Sequence, residues 1–422
     1  MKVPGKRVGI LGIGKSGFES ARFLKAQGYK IFASDAGASQ GLLERAQSLE
    51  ALGIEVETGR HTPEGLLNCD WILISPGINP ASPIYRILRS KKIPLVSEIE
   101  AASWYAPTKK IIAVTGTAGK TTVTTLLGRV FQKATGKAIV CGNIGNPWIG
   151  ELGRMNSDDF VILEVSSFQL MHCQSFRPRA GLLLNISPNH QDWHRDFREY
   201  VDAKLSLFTH QGPGDFALFR RSDRRQYFPQ YHFRAEIFEF DQLPALDPNE
   251  AAVRLSARLF EIPEKTVNAA LSEFQGIEHR LERVTTFQGV TYINDSKCTT
   301  TGSLAWALDK VPAKSVVLIA GGHPKSDDFH NVGRLVREKV KQAVLMGEAR
   351  PLLRRAWEGL CPLSEAANFR EAVETARSRA VPGDTVLLSP ACASFDMFNN
   401  YEERGALFKK IVREWEASVT HV

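Results

Sequence analysis

The stretch that most constrains this chain is Val114-Thr115-Gly116-Thr117-Ala118-Gly119-Lys120-Thr121-Thr122, set between a β-branched run (111–114) and a helix-period segment (123–131). A strand feeding a glycine turn feeding a helix aims backbone N–H groups and the positive helix end at one point, which is how a polypeptide grips phosphate. Lys120 brings charge for outer phosphates, and Thr121 brings a hydroxyl of the kind Mg²⁺ accepts. The spacing Gly116-x-x-Gly119-Lys120-Thr121 is shorter than the general G-x-x-x-x-G-K-[ST] pattern. The arrangement still demands a parallel α/β layer and points to a nucleoside triphosphate.

Apolar runs alternate with helix-period segments along all 422 residues, which predicts α/β architecture with mainly parallel sheets and two to four domains. We divide the chain into blocks 1–98, 99–282 and 283–422. In the first, strands are expected at 7–11, 30–34, 54–57 and 71–75, with helices at 16–26 and 41–52. Gly12-Ile13-Gly14-Lys15-Ser16-Gly17 follows the first strand and precedes Asp35 at the end of the second, matching G-x-G-x-x-G. A nicotinamide dinucleotide or any other diphosphate-bearing nucleotide satisfies that pattern. Gly77 lies in a loop, 75–80, at another strand end. The second block has strands at 138–141, 160–165 and 180–186, an irregular stretch 212–248 that resists assignment, and helices at 250–260 and 264–274. The third opens with a hairpin turning at Gln288-Gly289 and continues as a second doubly wound pattern that closes with a helix from Tyr401.

Several strand ends carry chemistry. Glu164, in Ile162-Leu163-Glu164-Val165-Ser166-Ser167, is a carboxylate near the phosphate loop and could hold Mg²⁺, although strand-end carboxylates more often cap or pair. His190 and His194 sit in one loop, without the further ligands a zinc site requires. Lys204, taken alone, is a solvent-facing helix lysine. In the third block Asn294-Asp295-Ser296-Lys297, Gly321-Gly322-His323-Pro324-Lys325 and Ser389–Asp396 each place small, hydrogen-bonding or cationic groups at a strand end; three such loops suggest a site. A nucleophilic Cys392 has no implied partner.

Six scattered cysteines without C-x-x-C point to free thiols. The net charge of +7 suits anionic small substrates, and without a dense Lys/Arg tract it does not suggest nucleic acid. No apolar run nears the roughly 18 residues needed to span a bilayer, and the N-terminus leads straight into a strand, so a cytoplasmic chain is expected.

Together, Thr115–Thr122, Glu164–Leu170, Gly276–Arg280, Asn294–Lys297 and Ser389–Gly405 resemble the ATP-dependent Mur ligases of peptidoglycan synthesis, over essentially the whole chain. Ser394-Phe395-Asp396 and Asn400-Tyr401-Glu402-Glu403-Arg404-Gly405 look like the branch that adds D-glutamate. The resemblance implies three domains: an N-terminal Rossmann-like one for the UDP-linked substrate, a central P-loop ATPase-like one, and a C-terminal Rossmann-like one for the amino acid. It implies that D-glutamate is joined to UDP-N-acetylmuramoyl-L-alanine through an acyl phosphate, using ATP and two Mg²⁺ ions, in a monomer whose domains close over the site.

Carried over residue by residue, the resemblance gives ATP to Gly116, Thr117, Ala118, Gly119, Lys120, Thr121, Thr122, Asn249, Arg280, Asp295 and Lys297. Metal goes to Thr121, Glu164, His190 and a carbamylated Lys204; Lys120, Glu164, His190 and Lys204 form the catalytic set. The UDP-linked substrate would meet Lys15, Ser16, Asp35, Gly77, Asn143, Ser166, Gln169 and His190. D-Glutamate would meet Thr299, Lys325, Ser394 and Tyr401. The chain departs from the usual family residues at Ala118, Cys298-Thr299-Thr300, His323-Pro324 and Tyr401. A sister ligase, a folylpolyglutamate-type ligase and a non-catalytic nucleotide-binding regulator of the same fold remain open alternatives.

Overall fold

The computed structural model describes residues 5–188, 193–242, 246–274, 276–324 and 328–420. Strands β1 (Arg7–Leu11), β2 (Lys30–Asp35), β3 (Glu55–Thr58), β4 (Trp71–Ile74) and β5 (Leu95–Ser97) form a parallel sheet in the order β3-β2-β1-β4-β5. A second parallel sheet takes β6 (Ile111–Thr115), β7 (Ala138–Gly142), β8 (Phe160–Glu164), β9 (Ala180–Leu183), β10 (Phe216–Phe219) and β11 (Glu236–Glu239) in the order β11-β10-β9-β6-β8-β7. The third holds β12 (Glu282–Phe287), β13 (Val290–Asn294), β14 (Val316–Gly321), β15 (Val340–Met346), β16 (Leu363–Glu365) and β17 (Thr385–Leu388) in the order β12-β13-β17-β14-β15-β16, with only β12–β13 antiparallel. The expected α/β architecture with mainly parallel sheets is therefore observed, one sheet in each of three successive parts of the chain.

Strands buried on both faces need unbroken apolar runs, and β4 (Trp-Ile-Leu-Ile) and β6 (Ile-Ile-Ala-Val-Thr) are wholly buried. The irregular 212–248 stretch resolves into β10, the helix Arg221–Tyr227 and β11. β11 (Glu-Ile-Phe-Glu) is a half-exposed edge strand, too short and too polar to show a period. The expected strand 180–186 stops at Leu183, because the chain then leaves the sheet to engage the phosphate loop. The expected hairpin is present: Gln288 (φ 50°) and Gly289 (φ 75°) both adopt the left-handed backbone that two-residue turns require.

The chain divides into two compact units, Met1–Phe274 and Gln275–Val422. The first contains both N-terminal sheets because one apolar cluster runs through them, from Val8, Ile10 and Trp71 through Ile99 and Trp148 to Val161 and Phe219. Two buried carboxylates on the helix Glu98–Tyr105 fasten this junction. Glu98 accepts from Ile149 N–H (2.6 Å), and its second oxygen has no hydrogen-bond partner among the described residues. Glu100 accepts from the N–H groups of Gln174, Ser175 and Phe176 (2.9–3.0 Å) and from the Trp104 indole.

Glu100→Ala leaves three backbone N–H donors, one of them fully buried, and the Trp104 indole without their acceptor, so denaturant unfolding of the first unit should shift by about 2–4 kcal/mol. Burial pushes Glu98 up to about 7, with N–H bonds from Ile149 and Trp148 opposing. The native state then binds more protons than the unfolded chain between the ordinary carboxylate range and pH 7, so stability falls as pH rises through that window. Glu98→Gln should flatten that slope in unfolding measured across pH 4–8; an unchanged slope refutes the assignment.

Candidate functional site

The phosphate loop follows β6, the strand between β9 and β8. Gly116 (φ 153°) and Gly119 (φ 82°) take backbone conformations that side chains disfavour. A Cβ on Gly119 would sit 2.6 Å from Asn249 Oδ1, so the helix Pro248–Leu259, capped by Asp247, lies directly against the loop. Asn185, just past β9, clamps the loop apex: its Oδ1 accepts from Ala118 N–H (2.9 Å) and its Nδ2 donates to Ala118 O (3.0 Å). Thr117 N–H donates to Asn185 O, while Thr117 Oγ1 meets Tyr200 Oη (2.8 Å) and accepts from Ser187 N–H.

Two lysines converge beneath this loop. Lys120 Nζ donates to Gly116 O (2.7 Å) and Thr117 O (3.1 Å), and Lys204 Nζ donates to the same Gly116 O (3.0 Å). Lys204 is 2% exposed, with its ammonium over the Tyr200 ring at 4.6 Å, so the solvent-facing reading of that residue is corrected. The helix Phe197–Leu205 shows its polar face around Arg198 and Asp202, while Lys204 lies on the opposite face among the buried Tyr200, Val201 and Ala203. Burial, reinforced by the Lys120 charge, holds the Lys204 amine well below the usual ammonium range.

Glu164 ends β8 beside Val114 and is buried. Its Oε1 accepts from Asn143 Nδ2 (2.8 Å), and Oε2 has no hydrogen-bond partner among the described residues. A buried carboxylate oxygen left unpartnered beside a phosphate loop fits a cation ligand. Asn143 N–H donates to Glu164 O, an approach that leaves room only for glycine at 142, where a Cβ would lie 2.4 Å from that oxygen. Ser166 and Gln169 form a capping box with each other at the helix Ser167–Leu170. His194, which carried no assigned role, is buried and meets Ser167 Oγ at 3.0 Å. His190 lies outside the described residues.

The N-terminal glycine turn faces the same region. Gly17 is obligatory, since a Cβ would fall 1.9 Å from Gly12 O. Asp35 accepts from Ile13 N–H (2.6 Å) and Gly37 N–H (2.8 Å), and so braces the turn. Lys15 Nζ reaches Gly145 O (2.8 Å), which brings the Lys15–Ser16 turn to the loop carrying Asn143. Gly77 lies in the loop after β4, whose Ser75 Oγ bonds Gly12 O.

In the second unit the three strand-end loops are neighbours because β13, β17 and β14 are adjacent. Arg404, fully buried at the start of the last helix, was not among the expected site residues. It ties two of these loops together by donating to Ser296 Oγ (3.0 Å), Ser296 O (2.8 Å), Cys392 O (3.1 Å) and Ala393 O (3.3 Å). The third joins through the His323–Ala393 bridge. Asp295 accepts from Ser389 Oγ (2.7 Å) and Leu281 N–H, and burial pushes it up to about 7. His279 (φ 63°) and Leu281 (φ 42°) flank Arg280 in strained backbone. Lys297 Nζ lies 5.3 Å over the Tyr401 ring, and Ser394 is buried at the foot of the β17 loop. Thr299 is half-buried, and Lys325 lies outside the described residues. Glu278, His279 and Glu282 cluster closely enough to suggest a metal, but Lys409 Nζ already bonds both carboxylates.

Family models match three segments: the MurD N-terminal domain over 7–84, the Mur ligase middle domain over 114–270 and the Mur ligase, glutamate ligase domain over 279–392. The UDP-N-acetylmuramoylalanine--D-glutamate ligase of Chlorobaculum parvum is 37% identical over 462 residues, covering 97% of this chain and 98% of that protein. The enzyme of the same name from Pelotomaculum thermopropionicum is 37% identical over 444 residues, covering 96% and 97%. Among solved structures, the UDP-N-acetylmuramate-alanine ligase MurC of Thermotoga maritima superposes with TM-score 0.60 at 15% identity over 98% and 99% of the two chains. MurF ligase of the same organism, in complex with ADP, gives 0.58 at 14% over 91% and 95%. These two show a shared fold. With segments of all three domain models matched in order and near full-length identity above a third, the chain belongs to the Mur ligase family.

Proposed function

We propose that this chain is an ATP-dependent ligase that adds D-glutamate to UDP-N-acetylmuramoyl-L-alanine in peptidoglycan precursor synthesis. The observation that carries the reading is the pair of lysines on the Gly116 carbonyl beneath a glycine loop, in a chain over a third identical to ligases of that name. In this reading Gly116–Thr122 cradle the triphosphate and Asn249 lies beside it. Lys15, Ser16, Asp35, Gly77, Asn143, Ser166 and Gln169 serve the UDP-linked acceptor. In the second unit Arg280, Asp295 and Lys297 serve ATP, and Thr299, Lys325, Ser394 and Tyr401 serve D-glutamate. A cytoplasmic monomer goes with this assignment.

The acceptor carboxylate is a poor electrophile. Transfer of the γ-phosphoryl group makes it an acyl phosphate and releases ADP. The D-glutamate amine then attacks the carbonyl carbon, the tetrahedral adduct expels inorganic phosphate, and the amine proton leaves to a base. Lys120 opposes charge on the transferring group, an effect that grows where water is excluded. Thr121 and Glu164 are suited to hold Mg²⁺, with His190 and carbamylated Lys204 completing the set, and the ion would supply further neutralisation of phosphate charge. Burial disfavours the Lys204 ammonium, and its free amine is the form that is nucleophilic toward CO₂; carbamate formation from that neutral amine releases one proton and leaves a carboxylate-like oxygen donor.

Phosphate release from ATP should require both UDP-N-acetylmuramoyl-L-alanine and D-glutamate, with L-alanine and other amino acids inactive; release with another amino acid assigns a sister ligase, and release with none assigns a regulator. Lys120→Ala should reduce that turnover by at least about 10³-fold while far-UV dichroism stays unchanged. Lys204→Ala should lose activity and regain part of it when short-chain carboxylates are added to the buffer. An absence of rescue in a folded variant counts against the carbamate.

A further inference from the structure

In the second unit a cavity of about 540 Å³ opens beside the β12–β13 turn, at the ends of β13 and β17 opposite the loops described above. Its walls include Phe287, Tyr292 and Trp415, and Arg377 of the helix Phe369–Arg379 lies between two of them. The Arg377 guanidinium carbon is 4.5 Å from the Trp415 ring centre and 5.5 Å from that of Phe287. Glu374, one turn back, also lines the cavity; it pairs with Arg370 at 3.9 Å, and Arg370 pairs as well with Glu414 (3.3 Å). Arg377 makes no ion pair and no side-chain hydrogen bond among the described residues. Tyr292 is 1% exposed and lines the cavity, and its hydroxyl makes no hydrogen bond among the described residues.

Stacking holds a guanidinium flat and leaves its in-plane N–H fork open, and that fork matches a carboxylate in shape and charge. The Tyr292 phenol lines the cavity without a hydrogen-bond partner among the described residues, and can donate to an occupant. Aromatic walls favour a planar apolar body, and the volume is that of an ordinary small-molecule site. We propose that this cavity binds a small planar carboxylate, an aromatic or heteroaromatic acid, through Arg377 and Tyr292. β13 runs from the cavity to Asn294 and Asp295, so an occupant would touch the strand that carries the far loop.

The test is calorimetric titration of the full chain with 2-naphthoate, and with the neutral isostere 2-naphthamide. We expect saturable naphthoate binding, with naphthamide weaker by about tenfold, the scale of one lost charge-assisted contact. Arg377→Gln should weaken naphthoate by a similar factor, and Tyr292→Phe, which keeps the packing, by a few-fold. Arg377→Lys keeps the charge and loses the fork, and should behave as Arg377→Gln; it covers the case in which Arg377→Gln does not fold. Phosphate release should be unchanged in the Arg377 variants. Absence of saturation up to about 10 mM, equal binding of the amide, or Arg377 variants that bind as wild type would each overturn the site. The titration requires no turnover, so its failure leaves the ligase assignment standing.

Discussion

Two cationic side chains meeting at one carbonyl oxygen, Lys120 and Lys204 at Gly116, set the electrostatics of the first unit. At roughly 5 Å, two unit charges repel by about 3 kcal/mol at an effective dielectric of about 20. Both cannot stay charged without opposition, and the deeper one yields: Lys204 is held toward the neutral amine by burial and by Lys120. In the proposed function a polyphosphate is the anion that would relieve this crowding. Glu164, a strand away, has one oxygen without a hydrogen-bond partner among the described residues. Such unsatisfied groups are tolerated in a native structure where a ligand completes them.

The surrounding polar network keeps these groups in place without filling the site. Asn185 fixes the loop apex through both hydrogen-bonding groups of Ala118, so the loop geometry is set by backbone pairing and not by the side chain at 118. In the second unit Arg404 does comparable work: a buried guanidinium with four bonds to two loops holds both strand ends at a fixed distance. Buried charges are held by such fully bonded arrangements, and removing one partner is far more damaging than the pair itself is stabilising. Glu100 applies the same device to the junction between the first two sheets, accepting from three backbone N–H groups and the Trp104 indole.

Much of this was legible because it is local. Strand, turn and helix at 111–131 follow from β-branched residues, two glycines and a helical period within about twenty positions. The hairpin at Gln288-Gly289 needs only two residues that accept positive φ, and the final helix and its neighbours carry strong periods. The edge elements β11 and β16 were missed because three or four half-exposed residues are too few to show a period; the helix Arg350–Trp357 was missed although Leu353, Ala356 and Trp357 carry a helical period over its two turns. Asn185 falls in the expected strand 180–186 and Arg404 in the segment Asn400–Gly405, yet they bond Ala118 and Ser296, 67 and 108 positions away, and no local rule connects them.

The amino-acid order by itself determined the alternating α/β pattern, the phosphate-gripping turn, the glycine turn at 12–17 and the family, since each is written in neighbouring residues or in matched strings. Strand order was decided only by the tertiary structure: it places β9 and β8 on either side of β6 and so brings Asn185 and Glu164 to one loop. The fate of Lys204 was decided there as well. Its helix offers both a wet and a dry face, and whether an ammonium group at one position stays hydrated or is driven under the loop depends on what packs above it, which no window of sequence contains.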